Sequence, residues 1–188
     1  PARLVERCVK WSAGVNARAL LPATIQRACQ LAMAAPPGPV FVSVPMEFLF
    51  ATLATDPPPA AGFARAATAR PDAIDELARV LTGAASPLIV TEEAGRSVRA
   101  VEHLVALAEL LGAPVVEAWH PGYVNFPRTH PLYGGVGPLA HLAGYLKESD
   151  VVFLVAAVAP WHPPSAAPGP GTTVAVLDED PFRADLPF

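Results

Sequence analysis

The run Val151-Val152-Phe153-Leu154-Val155-Ala156-Ala157 decides the fold. Apolar residues stand at consecutive positions rather than at every second one, so a strand made of them must be covered on both faces. Leu88-Ile89-Val90, Pro114-Val115-Val116 and Val174-Ala175-Val176-Leu177 share the pattern. Stretches of helical period lie between them. From 98 to 111, Val101, Leu104, Val105, Ala108 and Leu111 form one stripe, with Arg99, Glu102, His103 and Glu109 elsewhere. Gly112 is placed to end that helix. The reading is a helix near 71–81, a strand 87–91, a helix 98–111, a strand 114–118, a helix 139–146, a strand 151–156 and a strand 173–178. A long loop from Trp119 to Gly137 separates the second strand from the third helix. Helices alternating with doubly buried strands mean an α/β fold of three layers, a Rossmann-like parallel sheet.

Ahead of this unit the pattern is shorter. Pro22 to Ala35 has Ile25, Ala28, Cys29, Ala32 and Met33 at helical spacing, and Pro36-Pro37-Gly38-Pro39 stops that helix. Val40-Phe41-Val42-Ser43-Val44 follows as a strand. Residues 52–70, rich in Ala, Pro, Thr and Gly, read as a linker. The expected organisation is a partial α/β domain over 1–51, that linker, and a Rossmann-like domain over 71–188. The chain opens on Pro1 and closes on Pro187-Phe188, and a piece of a longer protein is the expectation.

Of the 188 residues, 52% are hydrophobic and 16% charged, which excludes a disordered chain. Lys and Arg number 13 against 17 Asp and Glu, with no basic run, so no nucleic-acid footprint is present. Cys8 and Cys29 stand apart, without the spacing of a metal site or a disulfide framework. No apolar stretch reaches the length of a membrane span, and a cytoplasmic location is expected.

Ligands of an open parallel sheet bind beyond the carboxyl ends of its strands. Four such places follow from the reading: Thr91-Glu92-Glu93-Ala94-Gly95-Arg96, Trp119-His120-Pro121-Gly122, Ala159-Pro160-Trp161-His162 and Asp178-Glu179-Asp180. None holds the Gly-x-Gly-x-x-Gly turn that lets a backbone approach a diphosphate. The Glu92-Glu93 pair would repel phosphate, while the acids at 178–180 could accept hydrogen bonds from ribose hydroxyls or form a solvated face. Nucleophilic catalysis has little support, since no Gly-x-Ser-x-Gly turn exists and both cysteines fall on helical stretches. Among the histidines, His103 and His141 read as surface or boundary residues of helices. His130 sits in a loop and is followed by Pro131, which biases it to an extended backbone. An imidazole held there can move a proton at neutral pH, or be an ordinary loop residue.

The segments Lys10-Trp11-Ser12, Leu21-Pro22 through Ala32, and Gly38-Pro39-Val40-Phe41-Val42-Ser43-Val44-Pro45 resemble the end of the pyrimidine-binding domain of thiamine-diphosphate-dependent enzymes. Ser86-Pro87-Leu88-Ile89-Val90, Leu107 to Val115, Phe126-Pro127-Arg128-Thr129-His130-Pro131-Leu132-Tyr133-Gly134-Gly135, Ser149 to Val152 and Leu177 to Pro181 resemble that family's central domain, in the family's order. The benzoylformate decarboxylases look nearest, and acetolactate-synthase-like enzymes next. The resemblance implies a homodimer or homotetramer of three-domain subunits holding thiamine diphosphate through Mg²⁺ and acting on a small 2-oxo acid. It implies a proton-transfer role for His130, the position that matches an active-site histidine of the decarboxylases, and it identifies no cofactor-binding or metal residue within this chain. The activating glutamate and the Gly-Asp-Gly motif that holds Mg²⁺ and the diphosphate are expected outside it, so the chain is not expected to catalyse alone. Thr91-Glu92-Glu93-Ala94 and Ala156-Ala157 stand where the family often has glycine. Two alternatives remain: an FAD- or ADP-binding module of an acetolactate-synthase-like enzyme, using the Glu92, His120 and Asp178 strand ends, and a non-catalytic paralogue serving as a structural subunit.

Overall fold

The computed structural model describes residues 2–50, 52, 62, 68–118, 121–137, 139–161 and 167–180. Most of the expected linker therefore lies outside the described residues, as do His120 and His162. Two compact units divide between Ala67 and Thr68.

In the first unit, α1 (Ala2–Val5) leads into β1 (Trp11–Gly14), α2 (Leu21–Met33), β2 (Val40–Ser43) and α3 (Met46–Leu49). β1 and β2 pair in parallel, Trp11 opposite Val40 and Gly14 opposite Ser43. Pro22 sits in the first turn of α2, where its missing N–H costs nothing. At the other end of the helix, Lys10 Nζ donates to the carbonyls of Ala34 (2.6 Å) and Pro36 (2.8 Å). One ammonium thus satisfies two carbonyls at the exit from the helix.

The second unit runs α4 (Pro71–Gly83), β3 (Pro87–Thr91), α5 (Val98–Leu111), β4 (Val115–Glu117), β5 (Tyr133–Val136), α6 (Leu139–Glu148), β6 (Val151–Val155) and β7 (Thr173–Leu177). All five strands are parallel, in the order β5-β4-β3-β6-β7. The consecutive apolar runs do what their pattern requires. Ile89, Val115 and Phe153 point to one face, with Leu81 of α4 and Leu104 and Ala108 of α5. Leu88, Val90, Val116, Val152 and Leu154 point to the other, with Leu142 and Leu146 of α6. Ser97 caps α5 by accepting from the Ala100 N–H at 3.3 Å, and Gly112 ends the helix at φ 63°, a conformation open to glycine. Asp150 fixes the entry to β3 from the neighbouring strand, accepting the N–H groups of Ala85 (2.7 Å) and Ser86 (2.9 Å).

Two strands depart from the reading of the sequence. β5 lies inside the segment 119–137 taken as loop, and β1 was expected only as part of a motif. Neither Trp-Ser-Ala-Gly nor Tyr-Gly-Gly-Val is rich in β-branched residues, and pairing with β2 and β4 makes them strands where local propensity does not. The β4–β5 pairing shifts register between Val115 and Val116, and Gly135, at φ 100°, faces Val116 there.

Candidate functional site at the carboxyl edge of the sheet

Strand order reverses between β3 and β6, and the crevice beyond their carboxyl ends is where such sheets take ligands. Here the two strand ends are tied to each other. The Glu93 N–H donates to the Ala156 carbonyl at 3.0 Å, and the Val158 N–H donates to Glu92 Oε2 at 3.3 Å. Ala156 has φ 46°, the left-handed region that alanine rarely enters. Arg96, in the 3₁₀ turn Ala94–Arg96, reaches Glu179 beyond β7 at 2.5 Å and Glu93 at 3.4 Å. Asp178 Oδ1 accepts the Asp180 N–H at 2.8 Å, so these acids are bonded within their own turn as well as facing solvent. The loop after β6 turns back on the sheet, and Trp161 is buried in the cluster under α6.

Beside this crevice stands a group that sequence reasoning did not single out. Glu117, the last residue of β4, is fully buried. Its Oε1 accepts from the Asn125 N–H (2.8 Å) and Asn125 Nδ2 (3.1 Å), and its Oε2 accepts from the Tyr133 hydroxyl (2.8 Å). Asn125, also fully buried, extends the chain of bonds. Its Oδ1 accepts from the Gly95 N–H (2.9 Å), and its Nδ2 donates to the Tyr123 carbonyl (2.9 Å). Burial, then the bond to Glu117 and its charge, pushes the Tyr133 hydroxyl above its usual range, while Arg128 opposes the shift. A buried charge is tolerated when its lone pairs are filled, and here three donors fill them. The segment 121–128 is thereby a strap over the 3₁₀ turn, held at Phe126, which is fully buried. The approach is so close that a Cβ on Gly95 would fall 2.3 Å from the Val124 carbonyl oxygen. The signal in the sequence was a lone acid closing the apolar run Pro114-Val115-Val116-Glu117.

His130 precedes β5 and so lies toward the amino end of that strand, opposite to the crevice. Its Nδ1 accepts from the Leu132 N–H at 3.2 Å, and its Nε2 faces Glu109 Oε1 at 3.2 Å. An acceptor role for Nδ1 leaves the ring proton on Nε2, directed at the carboxylate. Phe126 packs edge-on against the ring at 5.0 Å between centroids. His103 lines an apolar groove of about 460 Å³ between α4 and α5, together with Leu77, Leu81, Leu107 and Phe153. His141 Nε2 bonds the Gly134 carbonyl at 2.6 Å. Cys8 and Cys29 are both exposed and free.

Among the described residues no group of three or more His, Cys, Asp or Glu side chains is arranged to hold a metal ion, and no helix is long and apolar enough to cross a membrane. A diphosphate bound through a divalent cation needs such ligands. The described residues of the carboxyl edge offer instead Glu92, and Glu93 and Glu179 paired with Arg96, which does not fit thiamine diphosphate.

Strand order β5-β4-β3-β6-β7, with its switch point between β3 and β6, defines a doubly wound, Rossmann-type domain. Residues 74–186 match the family model for the central domain of thiamine pyrophosphate enzymes, and the chain belongs to that family. It is similar to a thiamine diphosphate-dependent 4-hydroxybenzoylformate decarboxylase of Rhodococcus jostii RHA1. That likeness has a TM-score of 0.83 and 32% identity, over 98% of this chain and 36% of that one. A benzoylformate decarboxylase of Polynucleobacter necessarius superposes with a TM-score of 0.77 at 27% identity, over 95% of this chain and 34% of that one. A sulfoacetaldehyde acetyltransferase of Castellaniella defragrans is 31% identical over 120 residues, 61% of this chain and 19% of the relative. The chain thus spans about a third of the related structures and a fifth of that acetyltransferase.

Proposed function

We propose that the protein carrying this chain is a thiamine-diphosphate-dependent 2-oxo acid decarboxylase or carboligase, in which these residues supply the central domain and the end of the preceding one. The observation that carries the reading is the likeness to the 4-hydroxybenzoylformate decarboxylase, which extends over 98% of the chain and so includes both units. When bound in the intact enzyme, thiamine diphosphate would supply the electron sink for loss of CO₂, and Mg²⁺ would anchor its diphosphate. This chain's part is support: a rigid sheet whose carboxyl-edge loops are tied down by Glu92, Arg96 and Glu117. The same proposal includes a cytoplasmic homodimer or homotetramer, to be checked by mass photometry of the full-length protein.

A proton-transfer role for His130 also belongs to the proposal, and the geometry sets a condition on it. Both ring nitrogens are engaged, so the imidazole must release Glu109 or Leu132 before it can serve a substrate.

The test is to supply the full-length protein with thiamine diphosphate and Mg²⁺ and to measure CO₂ release from benzoylformate, 4-hydroxybenzoylformate and pyruvate. Turnover of an aryl 2-oxo acid supports the decarboxylase reading. The acetyltransferase likeness favours a second reading, checked by consumption of sulfoacetaldehyde by the cofactor-loaded full-length protein. Cofactor binding without turnover on any of these would leave the family and remove the substrate class. No cofactor binding at all would favour a non-catalytic paralogue.

A further inference from the structure

We propose that the ligand crevice at the switch point of this sheet is filled by the chain itself, with the Glu92 carboxylate standing where a nucleotide's phosphate would accept backbone N–H groups, so that the domain takes no adenine nucleotide there. Doubly wound sheets hold dinucleotides beyond the strands that flank the reversal of strand order, here β3 and β6. Three features occupy that place. The Val158 N–H beyond β6, a donor of the kind that would meet a diphosphate, is already given to Glu92 Oε2 at 3.3 Å. The Glu93 N–H is given to the Ala156 carbonyl at 3.0 Å, which brings the two strand ends together across the crevice. On the α6 side, Ala157 and Trp161 are buried, 1% and 7% exposed, and the indole joins the cluster under α6, which holds the loop after β6 down on the sheet. Toward β7, Arg96 is committed to Glu179 and Glu93, and an incoming phosphate would displace two carboxylates to reach it.

The charge at this edge argues the same way. Glu93 and Glu179 pair with the one guanidinium, Glu92 adds a third carboxylate at the end of β3, and a nucleotide diphosphate would bring further negative charge into a partly desolvated place. The groove of about 460 Å³ between α4 and α5 is roomy enough for a planar base, but its lining is mostly aliphatic, with Thr82 and His103 as its polar side chains and no Arg or Lys to meet a diphosphate. Glu92 is therefore a strut between the β3 and β6 loops. The inference is independent of the decarboxylase reading, since a thiamine-diphosphate enzyme with or without turnover can carry a closed or an open central crevice.

The experiment uses the full-length protein carrying this chain, loaded with thiamine diphosphate and Mg²⁺, with residue-resolved amide exchange and titration of ADP and FAD to about 5 mM, on the wild type, Glu92→Ala and Glu92→Gln. For the wild type, no saturable binding of either nucleotide is expected. In Glu92→Ala, protection of the Val158 amide should fall by about fivefold, as for loss of one hydrogen bond. Glu92→Gln keeps an acceptor and should lose less, and it remains informative if the alanine variant does not fold. Gain of ADP binding by Glu92→Ala would support the strut as the barrier. Wild-type binding with a Kd below about 1 mM, or Val158 protection unchanged in both variants, overturns the proposal.

Discussion

Replacing Glu117 by alanine tests whether the buried carboxylate is what holds the strap 121–128 on the sheet. The side chain is fully buried and accepts from the Asn125 N–H, Asn125 Nδ2 and the Tyr133 hydroxyl. Removing it leaves the Asn125 N–H buried with no acceptor, a cost of about 1–3 kcal/mol. Asn125 Nδ2 keeps the Tyr123 carbonyl and loses less. The Tyr133 hydroxyl loses an acceptor but stands beside Arg128 at a partly open site. With the space left by the side chain added, the expected loss is about 3–5 kcal/mol, a large part of the 5–15 kcal/mol typical of a domain. Glu117→Gln keeps an oxygen for Asn125 and presents an amide to the phenol oxygen, so it should cost about 1–2 kcal/mol. Urea unfolding at neutral pH, with Tyr133→Phe as the second arm of a double-mutant cycle, measures both values. Tyr133 adds a signature in pH. Its folded-state value is raised, so the folded protein holds the proton longer, and the stability it contributes is lost as pH rises from the ordinary 10.0 toward the raised value. Tyr133→Phe should remove that alkaline loss. A Glu117→Ala cost under about 1 kcal/mol, or a glutamine cost equal to the alanine cost, refutes the anchoring argument.

Gly95→Ala would place a methyl 2.3 Å from the Val124 carbonyl oxygen and 2.7 Å from Tyr123 Cβ, so the strap must lift. About 2 kcal/mol or more of lost stability, with faster amide exchange at 122–126, is the expected outcome, and a neutral variant would contradict the close packing. Asp150 is held below its ordinary 3.8 by the N–H bonds from Ala85 and then Ser86. It therefore stabilises the fold above that value, and the contribution disappears as pH falls through the lowered folded-state one. Asp150→Asn should flatten the acid limb of a pH–stability curve, and an unchanged limb would count against the reading. For His130, a proton-transfer role requires that His130→Ala in the full-length enzyme lower kcat by about a hundredfold or more. A latch between Glu109 and Leu132 instead predicts a lower Tm with kcat within about twofold, and the two outcomes cannot both hold.

The elements that sequence reading placed well are those whose burial is uniform along the chain. β6 is apolar at each position because α6 covers one face and the α5 side the other, and α5 carries its own cap at Ser97 and stop at Gly112. β5 escaped because Gly134 and Gly135 carry no pattern, and what makes the segment a strand is its pairing with β4. Glu117 escaped for a different reason. A charged residue at the end of an apolar run reads as the start of solvent, and only the positions of Asn125 and Tyr133, 8 and 16 residues further on, make it an interior group. The acids after β3 and β7 were legible as residues but not as partners, since the bridge from Arg96 to Glu179 spans 83 positions.

Those partners bear on where the chemistry of the intact protein can reside. In an open sheet the carboxyl edge is the place for a ligand because loops there have spare N–H groups and room. In this chain the Val158 N–H goes to Glu92, the Gly95 N–H goes to Asn125, and the Arg96 guanidinium goes to Glu93 and Glu179. Each of these donors is bonded within the chain, which ties the loops to one another and, among the described residues, leaves the edge poor in groups for a phosphate or a metal. A family whose reaction needs a diphosphate cofactor must then hold it with residues other than these. The related decarboxylase, of which this chain covers 36%, has the further length to do so. Stiffness is the property a central domain can lend to a site built elsewhere. The Glu117 and Glu92 variants test that contribution, because each removes a tie between loops of this edge.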